Sequence, residues 1–219
     1  QGGFDVRFKE VFLAGEYISE TDYNYELNPV YQYGKVDDIT CVWDGNGNLV
    51  NWHQAYAFDP FNRMTQAGST GYLYDSQNRR VAKINPSTQA IETIYIYHGW
   101  TCIAEISSAG TKEFIDGIST DEHLCMITGP TQNDIYYYVL DTRNGVDMIV
   151  NYAGTKVEDY TYTAYGDTTV HYELDGLDYS ESQIGNPYGF HGRRMDTESG
   201  LMYFRNRMYS PEMKRFISM

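Results

Sequence analysis

The sequence predicts an all-β fold of repetitive antiparallel hairpins. Three observations carry the prediction. Tyrosine supplies 22 of the 219 residues, and its ring favours pleated, half-buried surfaces. An aromatic residue followed by aspartate and turn formers recurs at near-constant spacing. Short alternating stretches separate these turns, and no helical periodicity runs beyond two turns.

The repeat is explicit at Trp43-Asp44-Gly45-Asn46-Gly47-Asn48-Leu49, Phe58-Asp59-Pro60-Phe61-Asn62-Arg63-Met64 and Tyr74-Asp75-Ser76-Gln77-Asn78-Arg79-Arg80. Its aromatic residues stand 15 and then 16 residues apart. Weaker copies begin at Tyr97-His98-Gly99-Trp100 and at Leu140-Asp141-Thr142-Arg143-Asn144-Gly145-Val146. In such a unit the Asp carboxylate accepts backbone N–H groups just ahead of it. Asn or Gly tolerates positive φ, and the chain reverses. Asp44, Asn48, Asp59, Arg63, Asp75, Arg79, Asp141 and Gly145 are therefore the expected structural turn residues. An aromatic pair such as Tyr72 and Tyr74 falls on one face of a strand. One repeat of about 16 residues is thus one hairpin, and such hairpins need neighbours to bury a face.

Further strands are expected from Ile91 to Tyr97, Ile135 to Leu140, Met148 to Tyr152 and Tyr160 to Tyr165. The turn at Arg143-Asn144-Gly145 joins the second and third, Asn-Gly being a strong hairpin signal. The first 40 residues are poorer in the repeat, and the acidic, aromatic stretch Tyr17 to Tyr33 reads as an irregular strand or a wrapping segment. Three regions follow: a lead-in at 1–41, a repeat sheet at 42–185 and a distinct end at 186–219. Residues 190–219 hold six of the 16 basic residues and three of the 30 acidic ones. A basic end against an acidic body predicts packing onto that body, or a grip on something beyond it.

The length fits one or two domains. The formal charge of −14 excludes a general nucleic-acid binder, because phosphate backbones call for clustered Lys and Arg. The longest apolar run, Ile135 to Leu140, is far short of the roughly 20 residues that span a bilayer, so membrane insertion by this segment is not expected. No signal-like segment opens the chain and residue 1 is Gln, which reads as an internal boundary or a processed end. Cys41, Cys102 and Cys125 are too few and too scattered for a disulfide framework.

The end of the chain carries a denser pattern. It runs Asn186-Pro187-Tyr188-Gly189-Phe190-His191-Gly192-Arg193, Asp196-Thr197-Glu198-Ser199-Gly200-Leu201, Tyr203-Phe204-Arg205-Asn206-Arg207-Met208-Tyr209-Ser210-Pro211-Glu212 and Arg215-Phe216-Ile217-Ser218. With the repeat before it, this resembles the Rhs/YD-repeat family and the start of that family's repeat-associated core. Pro187, Gly189, Gly192, Arg193, Asp196, Gly200, Leu201, Tyr203, Arg205, Arg207, Tyr209, Pro211, Arg215 and Phe216 carry the core resemblance. Lys214 stands where that family usually has Gly, and Tyr160 to Asp167 resembles the strand just upstream of the core.

The resemblance implies hairpins that form part of a curved or spiralling β-shell around a C-terminal polypeptide, often a toxin. Bacterial polymorphic toxins, the C component of Tc toxins and the teneurins are similar in this respect. Many bacterial members cut themselves with an aspartyl protease just after the core, using acids in or beyond an Asp-Pro motif. That motif is expected shortly after Met219, so no catalytic acid is assigned here. The chain has too few hairpins to close a shell alone, and it reads as the C-terminal portion of a larger protein.

Other chemistries have weaker signals. Asp44-Gly45-Asn46-Gly47-Asn48 places oxygen ligands at alternate positions, but a calcium loop needs Gly and Glu where Leu49 and Ala55 stand. His98 with Cys102, and His123 with Cys125, are zinc-ligand types, and His123 and Cys125 share a strand face. Buried cysteines commonly serve as small apolar residues instead. Adjacent acids such as Asp37-Asp38 and Asp121-Glu122 point to opposite faces of a strand and make poor catalytic pairs. Arg193 and Arg194 either steady a downstream plug or cleavage site, or pair with acids of the body.

The leading expectation is a structural shell segment that encapsulates a toxin-like C-terminal cargo, without catalysis, cofactor or metal. Its expected partners are the rest of its parent chain and that cargo, with other shell or secretion-system proteins beside them. Its expected location is secreted or on a bacterial cell surface. A surface adhesion module that binds glycans or proteins is the first alternative. Part of a self-cleaving aspartyl protease core is the second. A basic cargo would suit an acidic wall.

Overall fold

The computed structural model describes residues 25–27, 32–36 and 38–218. The expected lead-in therefore lies largely outside the described residues, as does Asp37 of the Asp37-Asp38 pair. Strands β1 (Tyr25–Leu27), β2 (Tyr33–Val36) and β3 (Ile39–Thr40) form one small sheet, and β4 (Val42–Trp43) pairs with β5 (Leu49–Asn51).

A thirteen-stranded sheet follows. Its first half is β6 (Tyr56–Phe58), β7 (Met64–Ala67), β8 (Thr70–Tyr74), β9 (Arg80–Ile84), β10 (Ile91–His98), β11 (Thr101–Ser107) and β12 (Gly110–Asp116). Its second half is β13 (His123–Ile127), β14 (Ile135–Leu140), β15 (Val146–Asn151), β16 (Lys156–Tyr162), β17 (Thr168–Tyr172) and β18 (Leu177–Tyr179). Each strand pairs antiparallel with the next in sequence, with no crossover. Such an order needs only short hairpin connections. Strands β19 (Arg194–Asp196), β20 (Leu201–Phe204), β21 (Arg207–Ser210) and β22 (Arg215–Phe216) form a separate terminal sheet. The all-β, antiparallel expectation holds, and all four strands expected between Ile91 and Tyr165 are present within four residues of their predicted ends.

One face of the large sheet is covered by residues 186–217. Tyr56, Met64 and Tyr72 pack in one cluster with Leu201, Tyr203, Met208, Met213 and Ile217. Phe114, Met126, Tyr138, Ile149, Tyr160 and Val170 pack in a second with Tyr188. Met126 and Ile149 are fully buried, each gaining roughly 2 kcal/mol from leaving water. The opposite face is open and aliphatic. Leu73 lies opposite Ala82, Ala82 opposite Ile94, and Ile94 opposite Ile106, so the register draws one apolar row across four strands. Ile96, Ile103, Ile115, Leu124 and Val139 are exposed beside it.

Candidate functional site

The repeat turns share one hydrogen-bond scheme. Asp59 N–H donates to the Arg63 carbonyl at 3.0 Å and Asn62 N–H returns to the Asp59 carbonyl at 2.9 Å. Asp59 Oδ1 accepts from Phe61 and Arg63 backbone N–H groups at 2.9 and 3.0 Å. Asp44, Asp75 and Asp141 repeat the scheme with the second and fourth residues ahead. The third position sits at positive φ in every turn, occupied by Gly47, Asn62, Asn78 and Asn144, residue types that accept the left-handed region. Slight burial works to raise these carboxyls, but the hydrogen bonds outweigh it and hold them below the usual range.

The fourth position then ties one turn to the next. Arg63 Nε donates to Asp59 Oδ2 at 2.7 Å, and its Nη1 reaches Asn78 Oδ1 at 3.2 Å in the following turn. Asn48 donates both to Asp44 Oδ2 and to Asn62 Oδ1. Arg79 bonds Asp75 and reaches the Gly99 carbonyl. The tyrosine just before a turn does similar work inside the sheet. Tyr74 Oη donates to the Met64 carbonyl, Tyr97 Oη to that of Arg80, and Tyr162 Oη to that of Val146. In each case the acceptor follows the preceding hairpin's turn, so the phenol pegs neighbouring hairpins together. This explains why the repeat pairs Tyr with Asp.

The terminal segment is fixed to the sheet by buried charges. Arg80 and Asp196 are 1% and 0% exposed and form a two-pronged pair at 2.5 and 2.8 Å. Arg80 lies 4.3 Å from the Tyr203 ring and 4.9 Å from the Tyr72 ring, and Lys83 adds a contact to Asp196 at 3.1 Å. Burial alone would raise the Asp196 carboxyl; the charges of Arg80 and Lys83 overcome that and lower it to about 2. Arg194 meets Glu105 at 2.6 Å, with Lys112 on the same carboxylate. Arg193 faces Asp121 instead, at 2.9 Å, and Arg205 shares that carboxylate at 2.6 Å. Both adjacent arginines thus pair with acids of the body. Further along, Glu158 accepts from Tyr160 Oη, Ser182 Oγ and the N–H groups of Gln183 and Ile184. Asn186 joins Tyr138 Oη to Tyr160 Oη.

The other core-motif residues have structural duties. The Pro187 carbonyl accepts from Met195 N–H, and Val146 N–H donates to Gly189. Gly192 has φ of +65°, and a Cβ there would come 2.7 Å from the Asp121 carbonyl. Gly200 turns at +69° and bonds the Asp196 carbonyl. Leu201 and Pro211 are buried, and Tyr209 Oη donates to Tyr165. Arg207 lies 3.7 Å over the Phe216 ring, and Arg215 lies 4.7 Å from Tyr33. Lys214 has φ of +58°, which accounts for glycine at that place in the resembling family.

Sequence reasoning missed some of this. Asn151 builds the same turn, bonding Ala153 and Thr155 N–H groups, with Gly154 at positive φ; Asn followed by Gly three residues later was the signal. His123 is not paired with Cys125. Its Nδ1 lies 2.8 Å from Asp116 and its Nε2 3.0 Å from the Gly192 carbonyl, while its ring stacks on Tyr188 at 3.7 Å. Cys41, Cys102 and Cys125 are free, and burial raises each thiol, which works against nucleophilic use. The Asp44 carboxylate is spent on its turn. Among the described residues no helix is long and apolar enough to cross a membrane.

No protein-family model matches the chain. Among curated proteins it is 23% identical, over 204 residues and 90% of its length, to the tRNA3(Ser)-specific nuclease WapA of Bacillus spizizenii. It is 24% identical over 204 residues to the tRNA(Glu)-specific nuclease WapA of Bacillus subtilis subsp. natto. The chain spans about 8% of the length of these relatives. Among solved structures, the TcdB2–TccC3 complex superposes with a TM-score of 0.51 at 17% identity, covering 84% of this chain and 9% of that one. A chain of the Photorhabdus luminescens Tc holotoxin pore gives 0.51 at 18%, with the same coverage. The likeness is thus to Rhs-related toxin proteins, and the antiparallel all-β fold matches a stretch of the Tc toxin chains.

Proposed function

We propose that this chain is a wall segment of an Rhs/YD-repeat shell that encloses a C-terminal, toxin-like polypeptide. The observation that carries the reading is the fastening of residues 186–217 across one sheet face by the Arg80–Asp196 and Glu105–Arg194 pairs. That arrangement anchors whatever polypeptide continues from this segment against the wall. The antiparallel ladder pairs each strand of the large sheet with the next, and turn bonds and tyrosine pegs reinforce it at several hairpins, so the wall extends without leaving unpaired edges between repeats. Its mechanism is steric: a hydrogen-bonded sheet keeps proteases and water-soluble partners from the cargo. The reading gives this stretch no catalytic step, and it places the parent outside the cell or on its surface.

The test is protease protection of the full-length parent protein, following the polypeptide beyond this chain by mass spectrometry. Survival of that polypeptide while the shell is folded, with digestion after mild denaturation, is the expected result. Digestion at the rate of the isolated polypeptide overturns the reading. The open aliphatic face around Ile94, Ile106 and Ile115 favours a second reading, a surface module that binds another protein.

A further inference from the structure

The chain of turn-to-turn bonds is interrupted between the turns at 99–100 and 117–122. It runs from Asn48 to Asn62, Arg63 to Asn78 and Arg79 to Gly99, and Asn144 resumes it by donating to the Thr120 carbonyl at 3.0 Å. Between these lie the short turn at 99–100 and the longer one at 117–122, where the Asp-led scheme is replaced. Among the described residues no hydrogen bond joins those two turns. A cavity of about 430 Å³ opens there, between the sheet edge and the terminal segment.

The cavity gathers positive charge in a chain whose formal charge is −14. Arg193 and Arg205 line it and share a single carboxylate, that of Asp121. Arg193 also keeps a buried Nε–H with no acceptor. The other basic groups are committed: His123 to Asp116 and Gly192, Arg194 to Glu105, Arg79 to Asp75. Two guanidiniums share one carboxylate in a partly dry site, and Asp116, the other acid that lines it, is engaged by His123; ionic groups with incomplete pairing are costly in such a place. Burial lowers the Arg193 value, which Arg205 reinforces and Asp121 opposes. Trp100, half exposed, lines the same cavity.

We propose that this cavity is an oxyanion site, in which Arg193 and Arg205 grip one carboxylate or phosphate group while Trp100 flanks the rest of the ligand. The planar fork of a guanidinium suits two-oxygen acceptors of this kind. The site lies apart from the wall reading and stands or falls independently of it.

Inorganic phosphate and acetate are the probes, titrated separately at constant ionic strength held with chloride, with Trp100 fluorescence as the readout. Saturable change with either probe, absent in Trp100→Phe, is expected. Response to phosphate alone assigns a phosphate-bearing ligand, response to acetate alone a carboxylate, and response to both a general oxyanion pocket. Arg205→Gln weakens binding about tenfold, the scale of one charge-assisted bond. Asp121→Asn removes the competing charge, keeps one acceptor oxygen in place of the two that Arg193 and Arg205 now use, and suits the positive φ of 60° at this position; it strengthens binding several-fold. A damaged fold cannot produce that gain. Non-saturating response indistinguishable from chloride, or weaker binding in Asp121→Asn, overturns the proposal.

Discussion

One face of the thirteen-stranded sheet carries Tyr72, Arg80, Tyr95, Glu105, Tyr138, Glu158 and Tyr160, and it is buried; the other carries Leu73, Ile94, Ile96, Ile106, Ile115 and Val139, and it is open. Apolarity alone would assign the two faces the other way round. The difference shows what decides burial here: partners for the charged and hydroxyl groups on the covered side. Tyrosine contributes ring area together with a hydroxyl that reaches a carbonyl or amide. Arg80 is acceptable inside because Asp196 meets it with two oxygens and three aromatic rings surround it. A buried group without such a partner costs several kcal/mol.

The comparison is broken most directly at Asp196. Asp196→Ala strands Arg80 as a buried unpaired cation and removes a partner of Lys83, with an expected loss of about 3–5 kcal/mol. Urea unfolding of the two proteins measures it. A loss below about 1 kcal/mol would mean that the covered face does not depend on matched charge.

The same pair makes stability depend on acid. The Asp196 carboxyl is held at about 2 in the folded chain, whereas an unfolded carboxyl titrates near about 3.9. A depressed folded value contributes stability that is complete above the unfolded value and disappears as pH falls through the folded one. Unfolding free energy should therefore decline between about pH 4 and pH 2, and less steeply in Asp196→Asn. Parallel curves for the two proteins would sink the assignment.

How much of this was legible in the sequence follows from the range of each interaction. The Asp-led turns close within five residues, so Asp59, Asn62 and Arg63 announce themselves as neighbours. Alternation from Ile91 to Tyr97 revealed a strand, but period two does not say which face meets the core. Tyr95 went inside and Ile94 outside because of residues 186–217, which close the sheet from far along the chain. Asp196 and Arg80 are separated by 116 positions, and no local pattern joins them. The terminal motif pointed to the right segment without naming its contacts. The role of His123 was hidden for a related reason: its strand neighbour Cys125 is visible in sequence, while the Gly192 carbonyl 69 positions away is not.

A milder change tests whether tyrosine hydroxyls, and not only rings, hold the covered side. Tyr74→Phe keeps the ring and leaves the Met64 carbonyl without its phenol donor. The expected cost is about 1 kcal/mol, seen as a lower urea midpoint with an unchanged slope. An equal stability for both proteins would reduce the peg to ring packing.

The smallest effect is expected on the other side. Ile94 is 41% exposed, opposite Ala82 and Ile106. Threonine keeps the β-branch that suits a strand and removes little buried area, so Ile94→Thr should shift stability by no more than about 0.5 kcal/mol. A loss above about 1.5 kcal/mol would mean that the aliphatic face is covered in solution. If that loss grows with protein concentration, the cover is a second copy of the chain, since association stabilises by mass action. The asymmetry between the faces would then describe the isolated chain alone, with matched polar groups closing one side and a partner's apolar surface closing the other.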